Sequence, residues 1–225
     1  MARSERAMKE FYELIDRKDP GWPLVQQWVS EARNRVEVLP PPGEDAREQA
    51  LVATQVTTRS PMGAIIYESG GILVDDGWLR ILGSGHPRLP RSVANWNFGR
   101  SFSVPGARPE FLLVADDVVG GFFAIDGGGL GFEQGKICYF APDALEWENT
   151  EKSYSDFLIW CFQGDLGMYY ENARWPNWRE EVRELKGDQA LSFLPSLSEP
   201  GPPAPERKRQ RIWVAEIYSL HVLGG

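Results

Sequence analysis

Residues 111–126, Phe-Leu-Leu-Val-Ala-Asp-Asp-Val-Val-Gly-Gly-Phe-Phe-Ala-Ile-Asp, set two runs of β-branched and aromatic side chains on either side of Asp116-Asp117. That pattern encodes a strand, a turn and a returning strand. Three glycines, Gly127 to Gly129, come next. Lacking a Cβ, they reverse the chain at positive φ without steric cost, so that the run from Lys136 to Phe140 returns as a third strand. A three-stranded antiparallel meander is the expected nucleus of the fold. Upstream, Ile72-Leu-Val74 and Trp78-Leu-Arg-Ile-Leu82 flank Asp75-Asp76-Gly77, and Asp-Gly is a strong signal for a second tight hairpin.

The entry to the chain reads as helical. Residues 8–15 carry apolar positions at helical spacing, Asp19-Pro-Gly-Trp-Pro23 breaks that helix and starts another, and residues 44–53 give a third. Val36 to Leu39 alternates like a short strand. Ser60 before Pro61 suits an N-cap and first helical position for a helix through Tyr67. Gly83 to Gly106 is rich in Gly, Pro, Ser and Asn and is expected as a long loop, a type of segment that is functional or mobile. Residues 141–149 read as a turn and an edge strand. Ser153 or Ser155 caps a helix with Phe157, Leu158 and Cys161 inward, and a further helix is expected over 175–185. The proline-rich stretch 197–205 disfavours helix and central strand alike. The expected organisation is an α+β body over 1–195, a Pro-rich then basic linker over 196–211, and a segment over 212–225 that packs back on the body.

Composition narrows the function. A formal net charge of −8 over 225 residues opposes polyanion binding, and the one dense basic run is Arg207-Lys-Arg-Gln-Arg211, so no nucleic-acid partner is expected. The first ten residues have no apolar signal-peptide core, and no apolar run approaches the roughly 20 residues of a membrane span. Cys138 and Cys161 read as buried free thiols. The expected location is the cytoplasm, without a membrane.

Motifs for chemistry are sparse. The pairs Asp75-Asp76 and Asp116-Asp117 would hold a hard cation or act as an acid/base pair, but hairpin turns also favour aspartate for local backbone hydrogen bonds, and the turn reading leads. His86 sits in a loop with Arg88, Arg91 and Trp96, a candidate binding loop in which the arginines would hold an anion. With two histidines in the chain and no metal spacing between its cysteines, neither a metal nor a cofactor is expected. Gly127-Gly-Gly-Leu-Gly131 lacks the ending of a phosphate loop and reads as a turn. Trp147, Trp160, Trp175 and Trp178, with Tyr154, Tyr169 and Tyr170, serve the core if buried and anchor a protein partner if exposed together.

The blocks Asp19-Pro-Gly-Trp-Pro-Leu-Val25, Thr57-Thr-Arg-Ser-Pro-Met-Gly63, the run from Gly77 to Pro90, Leu112 to Ile125, and Tyr154-Ser-Asp-Phe-Leu158 resemble domain-of-unknown-function family 2625. The order of hairpin, glycine turn, strand and Tyr-Ser-Asp-Phe-Leu helix is also similar, more weakly, to the SUKH superfamily of toxin-immunity proteins and cell-wall-synthesis regulators. That likeness implies an α+β fold, an antiparallel sheet backed by helices, that acts by binding proteins, and it transfers no catalytic residue. The expected function is a protein-binding module of immunity-like type, its partner toxin-like or cellular, engaged by the sheet edge or face together with the His86 loop. The alternative is a small-molecule or hydrolytic site using His86 and nearby carboxylates.

Overall fold

In the computed structural model, which describes residues 8–224, short helix α1 (Phe11–Leu14) and α2 (Trp22–Ser30) lead into strand β1 (Val36–Leu39). The start of the chain that was read for a leader, residues 1–7, lies outside the described residues. Helices α3 (Glu44–Thr54) and α4 (Pro61–Glu68) precede the hairpin of β2 (Gly71–Val74) and β3 (Leu79–Leu82). The Ser60 hydroxyl accepts the Gly63 N–H, which is the cap that Ser-Pro encodes. After α5 (Val93–Asn97) come β4 (Phe111–Asp117), β5 (Phe122–Asp126), β6 (Ile137–Ala141) and β7 (Glu146–Asn149). The C-terminal third holds α6 (Tyr154–Gln163), α7 (Leu166–Tyr169), α8 (Trp178–Arg183), β8 (Gln189–Leu194), β9 (Lys208–Trp213) and α9 (Val214–His221).

β1 to β7 form one antiparallel sheet in sequence order, with β1 and β7 as its edges. The fold is therefore α+β, and the meander expected from the glycine-punctuated hairpins is its centre. Register separates two faces. On one lie Val38, Ile72, Ile81, Ala115, Phe123 and Tyr139, with Phe123 packed on Phe157 and Trp160 of α6. On the other lie Leu73, Arg80, Asp116, Phe122 and Phe140, with Phe122 edge-on to Tyr218 of α9. Both faces are covered, which is why β2 and β6 read as continuous apolar runs and β3 does so but for Arg80.

Three expectations need correction. The turn between β4 and β5 lies at 118–121, two residues beyond Asp116-Asp117: Gly120 supplies the positive φ (96°), and the Asp117 carboxylate accepts the N–H groups of Val119 and Gly121 from the strand end. The stretch 83–106 contains α5, whose start Ser92-Val-Ala-Asn95 is a capping box. All but the first residue of the basic run placed in a linker belongs to strand β9, paired with β8, and two of its arginines are ion-paired at α8 and its C-cap, Arg209 with Glu181 and Arg211 with Glu184. Beyond it, α9 buries Val214, Ile217 and Tyr218.

Candidate functional site

Antiparallel pairing brings the turns at 75–77, 118–121 and 142–145 to one end of the sheet, because Leu79 faces Asp117 and Phe122 faces Phe140. The segment from α7 to α8 and the proline-rich stretch 195–207 wrap this end, and most of the chemistry-bearing residues of the chain gather there.

Asp75 and Asp76 occupy positive φ (51° and 62°) in the turn that Asp-Asp-Gly encodes. Both carboxylates are nonetheless buried and ion-paired. Arg174 and Arg179 hold Asp75, while Arg35 (2.8 Å), Arg179 (3.4 Å) and Arg183 (3.0 Å) hold Asp76. Four guanidiniums take the oxygens that a hard cation would need. Arg174 lies in addition against the rings of Trp78, Tyr170 and Trp178, at 4.8, 5.5 and 4.2 Å from their centroids.

Asp116 does not shape a bend. It is 1% exposed and faces Arg80 across the β3–β4 ladder, accepting Arg80 Nε–H at 2.6 Å and pairing with Arg80 Nη2 and Arg91 Nη1. The rest of each guanidinium reaches the carbonyls that begin the C-terminal hairpin, Gln189 from Arg80 and Gly187 from Arg91. One buried carboxylate and two buried arginines thus fasten β8 to the main sheet, with Leu191 N–H donating to Val118 O at 2.8 Å alongside. Arg80 and Asp116 were visible in sequence as charges inside apolar strand runs, a placement that requires pairing.

Asp117 takes the opposite face. Its Oδ1 accepts Val119 and Gly121 N–H, and its Oδ2 accepts the hydroxyls of Tyr139 (2.8 Å) and Tyr170 (3.1 Å). Burial pushes this carboxyl above its ordinary range, against the pull of those donors, and the charge of Asp116 adds to the push. Tyr139 and Tyr170 also line a cleft of about 550 Å³, with Tyr169, Pro142 and Pro205 on its walls and Asp143, Glu148 and Glu171 at its rim. Sequence reasoning picked out Tyr169 and Tyr170 as a cluster but missed Tyr139, whose signal was its place two strands from Asp117, across β5.

The loop around His86 lies at the other edge of the sheet. His86 Nδ1 accepts the Arg88 N–H, and its backbone bridges to Leu89. Arg88 makes an exposed bidentate pair with Glu37 of β1. Arg91 and Trp96 are buried, Arg91 on Asp116 and Trp96 against Tyr218. The Arg91 guanidinium lies 4.9 Å from the Trp96 ring centroid, so the structure brings those two together in the interior, while His86 and Arg88 stay at the surface, and among the described residues no hydrogen bond joins His86 to a carboxylate. The glycine loop after β5 is likewise closed from within, since Asp126 accepts the N–H groups of Gly128, Leu130 and Phe132.

The sequence matches the family described as "Protein of unknown function DUF2625" over residues 11–217. The chain belongs to the DUF2625 family. Two relatives span nearly the same length: "Putative uncharacterized protein YbfG" of Escherichia coli K12 is 47% identical over 218 residues, covering 95% of each chain. An "Uncharacterized protein" of Haemophilus influenzae is 43% identical over 215 residues, covering 95% of this chain and 94% of its own. No solved structure matches. Among the described residues, no helix of this DUF2625 member is long and apolar enough to cross a membrane.

Proposed function

We propose that this chain is a cytoplasmic protein-binding module of immunity-protein-like type, which engages its partner along edge strand β7 and the adjoining tyrosine cleft. The observation that carries the reading is the pairing of an exposed edge with an open aromatic concavity. Strand β7 is hydrogen-bonded on its β6 side only within the sheet, and Glu146, Glu148 and Asn149 point to solvent. An unpaired strand edge offers main-chain groups to an extended segment of another protein. Tyr169, 47% exposed beside it, is the side-chain type that anchors interfaces. The charge of −8 suits a basic partner. By contrast, the arginines, aspartates and histidine that would have made a catalytic group are committed to internal bonds, and the two free, buried cysteines fit a reducing compartment.

Affinity capture from the native host, followed by titration with the purified partner, tests this. Tyr169→Ala is expected to weaken binding about tenfold, as truncation of an interface tyrosine does, and His86→Ala to leave it unchanged. Recovery of no partner, together with a tightly bound metabolite lost in His86→Ala, overturns the reading. One observation favours a second reading, a small-molecule site: Asp117, a buried carboxyl with a raised pKa, lies behind the cleft and accepts the hydroxyls of two tyrosines that line it. Under that reading a co-purifying compound is lost in Asp117→Asn.

A further inference from the structure

The tyrosine cleft differs from the rest of this end of the sheet in its charge balance. Asp75 and Asp76 have their arginines, and Glu181 and Glu184 have Arg209 and Arg211. Asp143, Glu148 and Glu171 line the cleft and are exposed, and among the described residues none of them makes an ion pair. The one cation on the wall, Arg207, is turned into its own loop, donating to the carbonyls of Pro195, Ser196, Glu199 and Pro202. Carboxylates therefore outnumber guanidiniums three to one in the cleft, and the single guanidinium already donates to four carbonyls.

The walls add a second chemistry. Tyr169 stands edge-on to both Tyr139 (centroids 6.4 Å apart, 69°) and Tyr170 (4.7 Å, 85°), and of these three cleft-lining rings it is the open one, 47% exposed against 7% and 3%. Burial raises the Tyr169 hydroxyl, and the negative charges of Asp117, Glu148 and Asp143 raise it further, which marks the cleft as electronegative. Aromatic faces and carboxylates together attract a planar cation that stacks and accepts bidentate pairing. The chain builds the same combination for itself one ring away, where Arg174 lies against Tyr170, Trp78 and Trp178 with Asp75 as its anion.

From these features we infer that the cleft receives an arginine side chain of the partner protein, its guanidinium against the tyrosine rings and its charge on the Asp143, Glu148 and Glu171 rim. This deepens the protein-binding reading and rests on it. The volume of about 550 Å³ admits the side chain with its flanking backbone beside β7.

The test is an NMR titration of the whole chain with acetyl-Gly-Arg-Gly-amide and with the same peptide carrying citrulline, the neutral isostere. The arginine peptide is expected to give saturable shifts at the amides of Ala141, Glu148 and Tyr170, with the citrulline peptide about tenfold weaker. The double variant Asp143→Asn/Glu148→Gln, both exposed positions, is expected to lose about tenfold for arginine while keeping the wild-type melting temperature. Equal binding of the two peptides, binding of a lysine peptide as tight as arginine, or shifts confined to other surfaces overturns the inference. A partner that still binds this double variant at full strength refutes the arginine contact and leaves protein binding standing. Arginine-specific binding with no protein partner in the host does the reverse.

Discussion

Replacing Asp116 by asparagine removes one charge and one acceptor from a buried polar cluster, with Arg80 2% and Arg91 7% exposed. The carboxylate is 1% exposed and receives Arg80 Nε–H at 2.6 Å together with Arg80 Nη2 and Arg91 Nη1. Three charge-assisted contacts at about 1.5–3 kcal/mol each would sum to about 4.5–9 kcal/mol if independent. They share one carboxylate and are not independent, so the relevant scale is the loss of about 3–5 kcal/mol seen when one member of a buried ion pair is removed and its partners stay charged. For a chain of this length that corresponds to a fall in Tm of about 6–20 °C. Urea unfolding followed by tryptophan fluorescence reads it directly, as a lowered midpoint at unchanged m-value. Arg88→Ala is the control, because the Arg88–Glu37 pair is more than half exposed on both sides and is worth about 1 kcal/mol or less. A loss for Asp116→Asn no larger than that of Arg88→Ala would refute the claim that the cluster fastens the C-terminal hairpin to the sheet.

Other consequences follow from the same contacts. Burial raises the folded-state carboxyl of Asp117 above its ordinary value of 3.8, so the folded chain holds that proton more tightly than the unfolded chain. Its favourable contribution is complete below pH 3.8 and lost as pH rises through the folded value; Asp117→Asn should therefore gain stability relative to wild type between about pH 4 and 7, measured by unfolding at each pH. Asn97, fully buried, donates to Val93 O and Leu113 O and accepts Leu113 N–H beside the bulge in β4. Asn97→Ala is expected to cost about 2–3 kcal/mol in urea unfolding by leaving the Leu113 backbone unpartnered. The thiol of Cys138 is pushed up to about 11 and that of Cys161 well above its ordinary value, both chiefly by burial, so a thiol reagent at pH 8 should label neither until urea unfolds the chain, and then both.

The hairpins, the meander, the caps at Ser60 and Ser153 and the edge strand at β7 were legible because each is written in adjacent residues: a turn pair, an alternation, a hydroxyl before a helix. The misplacement of the β4–β5 turn shows the limit of that signal. Asp116-Asp117 and Gly120-Gly121 both suit a turn, and the choice fell to the glycines because Asp116 is needed two positions earlier, opposite Arg80. Pairing of β8 with β9 spans the proline-rich stretch and is set by contacts with the main sheet, which no local pattern announces. Spacing in the candidate loop has a similar limit: Arg88 and Arg91 are near in sequence, yet one faces Glu37 at the surface and the other Asp116 in the core. The cleft assembles from β6, the β6–β7 turn, α7 and the proline-rich segment, and only the cluster Tyr169-Tyr170 hinted at it.

Hydrogen–deuterium exchange of the chain with and without its purified partner tests the central claim most directly, since it maps edge strands amide by amide. The account predicts new protection at residues 146–149 of β7 and at 169–173 beside the cleft, with the His86 loop and β1 unchanged. Protection confined to β1 and residues 84–91, or none on the β7 side, would contradict it.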